Sequence, residues 1–419
     1  MAYLFRLRSL WTPDELGRIP PKPHQYIVGE ASHSCSDGVG GLIDNIAALR
    51  IAGFTGDGIG RIVGDHDFNR DGLDDLAIGA PNANGGQGRV YVAYRRTAGV
   101  EGDYVLEKLA LDPRSDPERL NGLLVVSNSL DGFGSSLAGG FDFNGDKLHD
   151  LLIGSPTAAE GAGEVIILFG GTEIVSPLDG ITVDTLLSTT RTASGGPVAV
   201  RIRGNPLDTN GQFGFNIVNA GDIDGDGLDD LLVAAPNATP RFDPKPNEAP
   251  DEMTSPGLDL DFDGVGDEVP GSDDLLEAGL VYIIFGSNRL DQLKTCQDSD
   301  TACSTSAECP TGKACGSTNF TININQLGKP QLHGLMIAGR RAGDRIGGGD
   351  AGDTALGGIA GKQGRGRSVG LTGAGDVDGD TRADILIGSI LADPRRDPNT
   401  GVGVQNGGEA YLIYGSSIP

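Results

Sequence analysis

The chain has 419 residues, 68 of them glycine and 23 proline, with an apolar fraction of 38%. It is too apolar for a disordered or collagen-like chain, and its turn-forming residues point to many short strands joined by tight turns. A formal net charge of -26 argues against a nucleic-acid binder, which needs a basic surface. No apolar run approaches the roughly 20 residues that span a bilayer.

Residues 1–41 hold Pro20-Pro21 and Gly38-Val-Gly-Gly41, show no sustained period, and read as an N-terminal tail or a degenerate repeat. The opening Met1–Trp11 carries Arg6 and Arg8 among its apolar residues, so it is not a clean signal peptide. From residue 42 to 419 one repeat is written several times. Its first part is an apolar segment: Leu49-Arg-Ile-Ala-Gly53, Leu123-Leu-Val-Val126, Val200-Arg-Ile-Arg-Gly204 and Leu335-Met-Ile-Ala-Gly339. A Phe-Gly or Ile-Gly pair follows, at Ile59-Gly60, Phe133-Gly134, Phe213-Gly214 and Ile346-Gly347.

The acidic loops come next. Asp67-Phe-Asn-Arg-Asp-Gly-Leu-Asp-Asp75 runs into Leu76-Ala-Ile-Gly-Ala-Pro81, and Asp142-Phe-Asn-Gly-Asp-Lys-Leu-His-Asp150 into Leu151-Leu-Ile-Gly-Ser-Pro156. Asp222-Ile-Asp-Gly-Asp-Gly-Leu-Asp-Asp230 runs into Leu231-Leu-Val-Ala-Ala-Pro236, and Asp376-Val-Asp-Gly-Asp-Thr-Arg-Ala-Asp384 into Ile385-Leu-Ile-Gly-Ser389. An aromatic-tipped segment closes each unit: Val90–Tyr94, Val165–Phe169, Val281–Phe285 and Ala410–Tyr414. Short β-branched or aromatic runs bounded by glycine or proline are strands rather than helices.

A unit of about four strands cannot bury a sheet face alone, whereas radial stacking gives every sheet two neighbours. The expected fold is therefore all-β, a β-propeller of four four-stranded antiparallel blades, or five if the long gap between the third and fourth loops hides a lost one. Insertions explain that gap better, because a single closing strand lies within it. They are placed at about 238–277 (acidic), 291–318 (cysteine-rich) and 348–366 (glycine-rich), the last displacing Ile346-Gly347 from its loop. The ordered part starts on an apolar segment and stops just after a closing strand, so the first strand is expected to complete the last blade.

Oxygen-bearing residues at loop positions 1, 3, 5 and 9 repel one another unless a cation sits among them. Hard oxygens from alternate residues of a tight turn suit Ca2+, with the position-7 carbonyl adding another. An EF-hand or dockerin module uses the same spacing, but needs a helix after the loop, and an EF-hand also wants Glu at position 12. Here that position is Ile78, Ile153, Val233 or Ile387, inside a β run.

Phe213-Gly214 followed by Gly221-Asp-Ile-Asp-Gly-Asp-Gly-Leu-Asp-Asp-Leu-Leu-Val-Ala-Ala-Pro236 resembles the FG-GAP repeat of the integrin alpha-subunit N-terminal β-propeller. The unit length and closing strands are more similar still to bacterial secreted proteins with tandem copies. The resemblance covers roughly 42–419 and implies calcium-binding hairpin loops on one rim, with a role in adhesion or recognition rather than catalysis. It implies as metal ligands Asp67, Asn69, Asp71, the Leu73 carbonyl and Asp75; Asp142, Asn144, Asp146, the Leu148 carbonyl and Asp150; Asp222, Asp224, Asp226, the Leu228 carbonyl and Asp230; and Asp376, Asp378, Asp380, the Arg382 carbonyl and Asp384. About four ions follow. Position 6 of such loops takes a positive φ, and Lys147 and Thr381 stand there in the second and fourth units. A left-handed non-glycine residue costs roughly 1–2 kcal/mol, which ranks the first and third sites as tightest.

Inside the first insertion Asp259, Asp261, Asp263 and Asp267 repeat the spacing without a following strand, giving either a fifth calcium site or a flexible acidic loop. Cys296, Cys303, Cys309 and Cys315 lack the close pairs of a zinc knuckle. Two disulfides of open connectivity are expected, implying an oxidising compartment, with Cys35 left over. The five histidines, His24, His33, His66, His149 and His333, form no catalytic motif, and no nucleophile elbow, zinc-protease or P-loop sequence occurs. Gly361-Lys-Gln-Gly-Arg-Gly-Arg367 reads as a rim loop. The function expected is that of a non-enzymatic, secreted or surface-displayed calcium propeller that binds an extracellular protein or glycan. The alternative is a calcium-dependent scaffold of a secreted hydrolase or polysaccharide lyase.

Overall fold

The computed structural model describes residues 48–53, 55–94, 121–171, 180–190, 197–240, 277–288, 343–350, 367–392 and 408–418, and most of 290–340. It also describes the short strands Ala2–Phe5, Cys35–Ser36, Leu42–Ile43 and Gly102–Val105. The Gly361–Gly366 tract and the acidic spacing at Asp259–Asp267 lie outside the described residues.

The fold is all-β, built on antiparallel sheets. The first consists of Arg61–His66, Asp75–Ala80, Arg89–Tyr94 and Asn121–Val126 in chain order. The second repeats it with Ser136–Phe141, Asp150–Ser155, Glu164–Leu168 and Ala199–Arg203, and the third with Ile217–Gly221, Asp230–Ala235, Leu280–Ile284 and Gly334–Ala338. The fourth has three described strands, Leu371–Gly375, Asp384–Ser389 and Glu409–Ile413. In every sheet the first strand carries a register shift just before the acidic loop, between Gly64 and His66, Gly139 and Phe141, Asn219 and Gly221, and Gly373 and Gly375. A bulge there bends the strand into the loop.

The sheets stack face to face, which explains why their central strands are apolar at consecutive positions instead of alternating. Leu151 and Ile153 pack toward Ala77, Val90 and Val92 of the first sheet. Leu152, between them in sequence, packs toward Leu231, Val233 and Tyr282 of the third. Leu232, Ala234 and Val281 then meet Ile385 and Ile387 of the fourth. Both faces of the middle sheets are thereby covered. Fully burying one such aliphatic side chain contributes about 1.5–3 kcal/mol. The first strands of consecutive sheets lie side by side, close enough that a Cβ on Gly373 would stand 3.0 Å from the Asn219 carbonyl.

The Phe-Gly pairs join neighbouring units. The Phe133 N–H donates to Gln87 O before the first sheet's third strand, and the Gly134 N–H to Gly154 O of the second sheet. Phe213 and Gly214 do the same with Ala162 O and Ala234 O, and Ile346 and Gly347 with Ala278 O and Gly388 O. Ile346-Gly347 thus stands in the fourth unit where Phe-Gly stands in the second and third, despite its distance from the loop. The glycine of each Gly-x-Pro run makes room for the pair of the next unit: a Cβ on Gly79 would lie 2.2 Å from Gly134 O, and one on Gly154 2.4 Å from Gly214 O.

A second lacing device is absent from the repeat as read in sequence. Between its third and fourth strands, a unit sends a short strand back to pair in parallel with the fourth strand of the preceding unit: Ile181–Thr182 on Asn121–Val126, and Thr321–Asn323 on Ala199–Arg203. Gly102–Val105 pairs in the same way with Ala48–Ala52. That pairing corrects the expectation for the first apolar segment. Ala48–Ala52 does not extend the fourth sheet but pairs antiparallel with Ala2–Phe5, in the position of an outer strand preceding the first sheet.

The cysteine-rich insertion holds two disulfides, Cys296–Cys309 and Cys303–Cys315. They staple the small hairpin of Thr295–Cys296 and Cys315–Ser317.

Candidate metal centres

Each acidic loop joins the first two strands of its sheet, and all four share one hydrogen-bond pattern. The position-1 carboxylate is wrapped by the loop's own amides: Asp222 Oδ1 accepts from Gly225 N–H at 2.7 Å and Oδ2 from Gly227 N–H at 2.9 Å. Asp67, Asp142 and Asp376 accept from Gly72, Lys147 and Thr381 in the same way. Position 3 accepts from the amide of position 5, as Asn69, Asn144, Asp224 and Asp378 each do. Position 5 accepts from the amide of position 7, at Leu73, Leu148, Leu228 and Arg382.

These turns fold the oxygens inward. In the third loop one carboxylate oxygen each from Asp222, Asp224 and Asp226 lies within 4.8 Å of the others, and in the fourth the same holds for Asp376, Asp378 and Asp384. Three hard anionic oxygens so close together, in a loop whose amides are already spent on their other lone pairs, match the donor set of a calcium ion. The electrostatics agree. Burial pushes the Asp230 carboxyl up to about 7, and the charges of Asp224 and Asp226 push it the same way. Asp150 is likewise raised well above the ordinary range, first by burial and then by Asp146 and Asp142. A cation among these groups would oppose that shift.

Position 9 does more than offer an oxygen. Asp75, Asp150, Asp230 and Asp384 are all buried, and each accepts the amide of loop position 2, from Phe68, Phe143, Ile223 and Val377. In the last three units the other oxygen accepts the amide just past the third strand, from Gly170, Gly286 and Gly415. This carboxylate therefore ties the loop to the rest of its sheet.

Two features of the loops were not read from sequence. Position 4 is left-handed as well as position 6: Arg70 has φ 63°, and Gly145, Gly225 and Gly379 have φ of 80–82°. Lys147 and Thr381 at position 6 have φ 65° and 77°. Only the third loop has glycine at both positions, so the first loop shares the strain assigned in sequence to the second and fourth. Position 8 stitches successive loops together. His149 Nδ1 accepts the Asp67 N–H, Asp229 Oδ2 accepts the Asp142 N–H, and the Ala383 N–H donates to Asp222 O. His149 also meets His66 edge to face with ring centroids 5.5 Å apart. No helix among the described residues is long and apolar enough to cross a membrane.

The FG-GAP repeat family model matches residues 61–93, 133–168 and 213–249, the first three Phe-Gly or Ile-Gly and acidic-loop units. The chain carries FG-GAP repeats. It is similar to integrin alpha-IIb of Mus musculus, at 32% identity over 187 residues, 43% of this chain and 15% of that protein. It is similar also to phosphatidylinositol-glycan-specific phospholipase D of Rattus norvegicus, at 30% over 188 residues, 43% of this chain and 19% of that protein. Integrin alpha ina-1 of Caenorhabditis elegans is 30% identical over 185 residues, 41% of this chain and 14% of that protein. The matched region thus spans less than a fifth of each relative. The FG-GAP name fits the contact described above, in which the Phe-Gly of one unit lies on the glycine of the preceding Gly-Ala-Pro.

Proposed function

We propose that the four sheets are blades of a β-propeller stabilised by calcium in the acidic loops, acting outside the cell in adhesion or recognition of a protein or glycan. The observation that carries this reading is the loop geometry: a buried position-9 anchor in all four units, with three carboxylate oxygens converging in the third and fourth. Asp67, Asp142, Asp222 and Asp376 with their partners at positions 3, 5, 7 and 9 would hold about four ions. The third site is the least strained, having glycine at both left-handed positions. The disulfides support an oxidising compartment, and the integrin relatives support a protein partner.

The similarity to a phospholipase D supports a second reading, in which the propeller is an accessory unit beside a catalytic domain and has no turnover of its own. Immobilised chain, probed with extracellular-matrix proteins and a glycan array in calcium and again in EGTA, separates the two. Calcium-dependent capture of a defined protein or glycan supports recognition. Absence of capture, together with hydrolysis of polysaccharide or glycolipid by the chain alone, would overturn both the recognition role and the non-enzymatic reading.

A further inference from the structure

A cavity of about 670 Å³ opens at the end of the second sheet opposite its acidic loop, between the segment that leaves the first sheet and the outer strand Ala199–Arg203. Arg201 crosses its floor. Its Nη2 donates to Asp184 Oδ1 at 3.2 Å, and its Nε stands 3.3 Å from Glu164 Oε2, within ion-pair distance but without the alignment of a hydrogen bond. The Glu164 side chain is 8% exposed, lines the cavity, and through Oε1 accepts no hydrogen bond from any described residue. Beside it the buried Asp131 accepts from the Ser127 hydroxyl and the Phe133 N–H. Thr209 stands exposed at the rim.

A carboxylate on so nearly buried a side chain gains from every donor it finds, so the cavity-facing oxygen of Glu164 favours a ligand that supplies one. Arg201 Nε on the same wall is buried without a hydrogen-bond acceptor and asks for one. A simple cation answers only the first need and an anion only the second, whereas a hydroxyl both donates and accepts. The lining carries four carboxylates, Asp131, Glu160, Glu164 and Asp184, against Arg201 and Arg203, which disfavours a ligand with its own negative charge. The volume lies within the usual range for small-ligand sites.

We propose that this cavity binds a neutral or amino sugar residue, with Glu164 and Asp131 accepting from its hydroxyls and Arg201 holding Glu164 in place. The proposal rests on the recognition role given above and names the ligand class for one site. The test is saturation-transfer NMR on the calcium-loaded full chain, with free neutral hexoses, N-acetylhexosamines, hexosamines and uronic acids as probes. At least one neutral or amino sugar should receive transfer and uronic acids should not. Its affinity should fall at least tenfold in Glu164→Gln. Thr209→Trp at the exposed rim should block it equally, which keeps the test decisive if Glu164→Gln fails to fold.

Transfer only to uronic acids, no transfer to any sugar by a chain that still melts higher in calcium, or transfer unchanged in Thr209→Trp would each overturn the sugar site while leaving calcium-dependent recognition elsewhere intact. Loss of calcium stabilisation itself would instead overturn the functional reading on which the proposal rests.

Discussion

At the scale of single residues, the loops separate two duties that the D-x-D-x-D spacing runs together. Positions 1 and 3 point oxygens inward, joined by position 5 in the third loop and by position 9 in the fourth, whereas position 9 alone is also buried and bonded to the backbone of both loop and strand. Asp150→Ala should therefore destabilise the chain by about 2–5 kcal/mol even in EGTA, because two buried amides lose their acceptor. Asp146→Ala should cost under about 1 kcal/mol in EGTA and show its full effect only in calcium. Paired thermal melts of the two variants in both buffers check this, and equal effects in EGTA would refute the division of labour. The left-handed positions give a second expectation. Thr381 at φ 77° is a β-branched residue in a region that glycine enters freely. Thr381→Gly should stabilise the chain by roughly 1 kcal/mol, and Gly227→Thr should lose at least as much, as read by denaturant melts in calcium.

At the scale of elements, the repeat owes its spacing to contact between units. Gly154 lies beneath the Gly214 carbonyl with no room for a methyl group, so Gly154→Ala should lower stability by about 1–3 kcal/mol. The third unit already has Ala234 at this place, where a Cβ on Gly347 would stand 2.7 Å from the Ala234 Cβ, and Ala234→Gly should change little beyond a small cavity loss. Equal costs at the two sites would show that the Phe-Gly contact does not govern the choice of glycine.

The strands, the loops and the Phe-Gly pairs were legible in sequence because each is a local pattern: an apolar run, an alternation of acids, a dipeptide before a turn. The parallel lacing strands were not, because Ile181–Thr182 and Thr321–Asn323 are too short to carry a period and gain their partners only from the preceding sheet. The place of Ala48–Ala52 was missed for the same reason. Its apolar pattern announces an outer strand, but which sheet it joins is set by Ala2–Phe5 and Gly102–Val105, neither of which resembles the repeat strongly enough to be counted. Position 4 escaped because glycine fills it in three loops and Arg70 in the other, so the backbone requirement shows only in the dihedral angle.

At the scale of the molecule, stability is shared along a row of sheets, each covered by its neighbours and stitched to them by Phe-Gly contacts, lacing strands and position-8 bonds. A row of this kind gains from every bound ion, since a ligand that prefers the folded state stabilises it by about 2.7 kcal/mol at a hundred times its Kd. The measurement that tests calcium binding most directly is thermal unfolding of the purified chain in excess Ca2+ and in EGTA, with calorimetric counting of the ions bound. About four ions and a melting temperature higher by many degrees in calcium are expected, with one ion lost in Asp222→Ala. No binding and superimposable melts would mean that the acidic loops are hydrogen-bonded turns alone, and the calcium-dependent propeller would have to be abandoned.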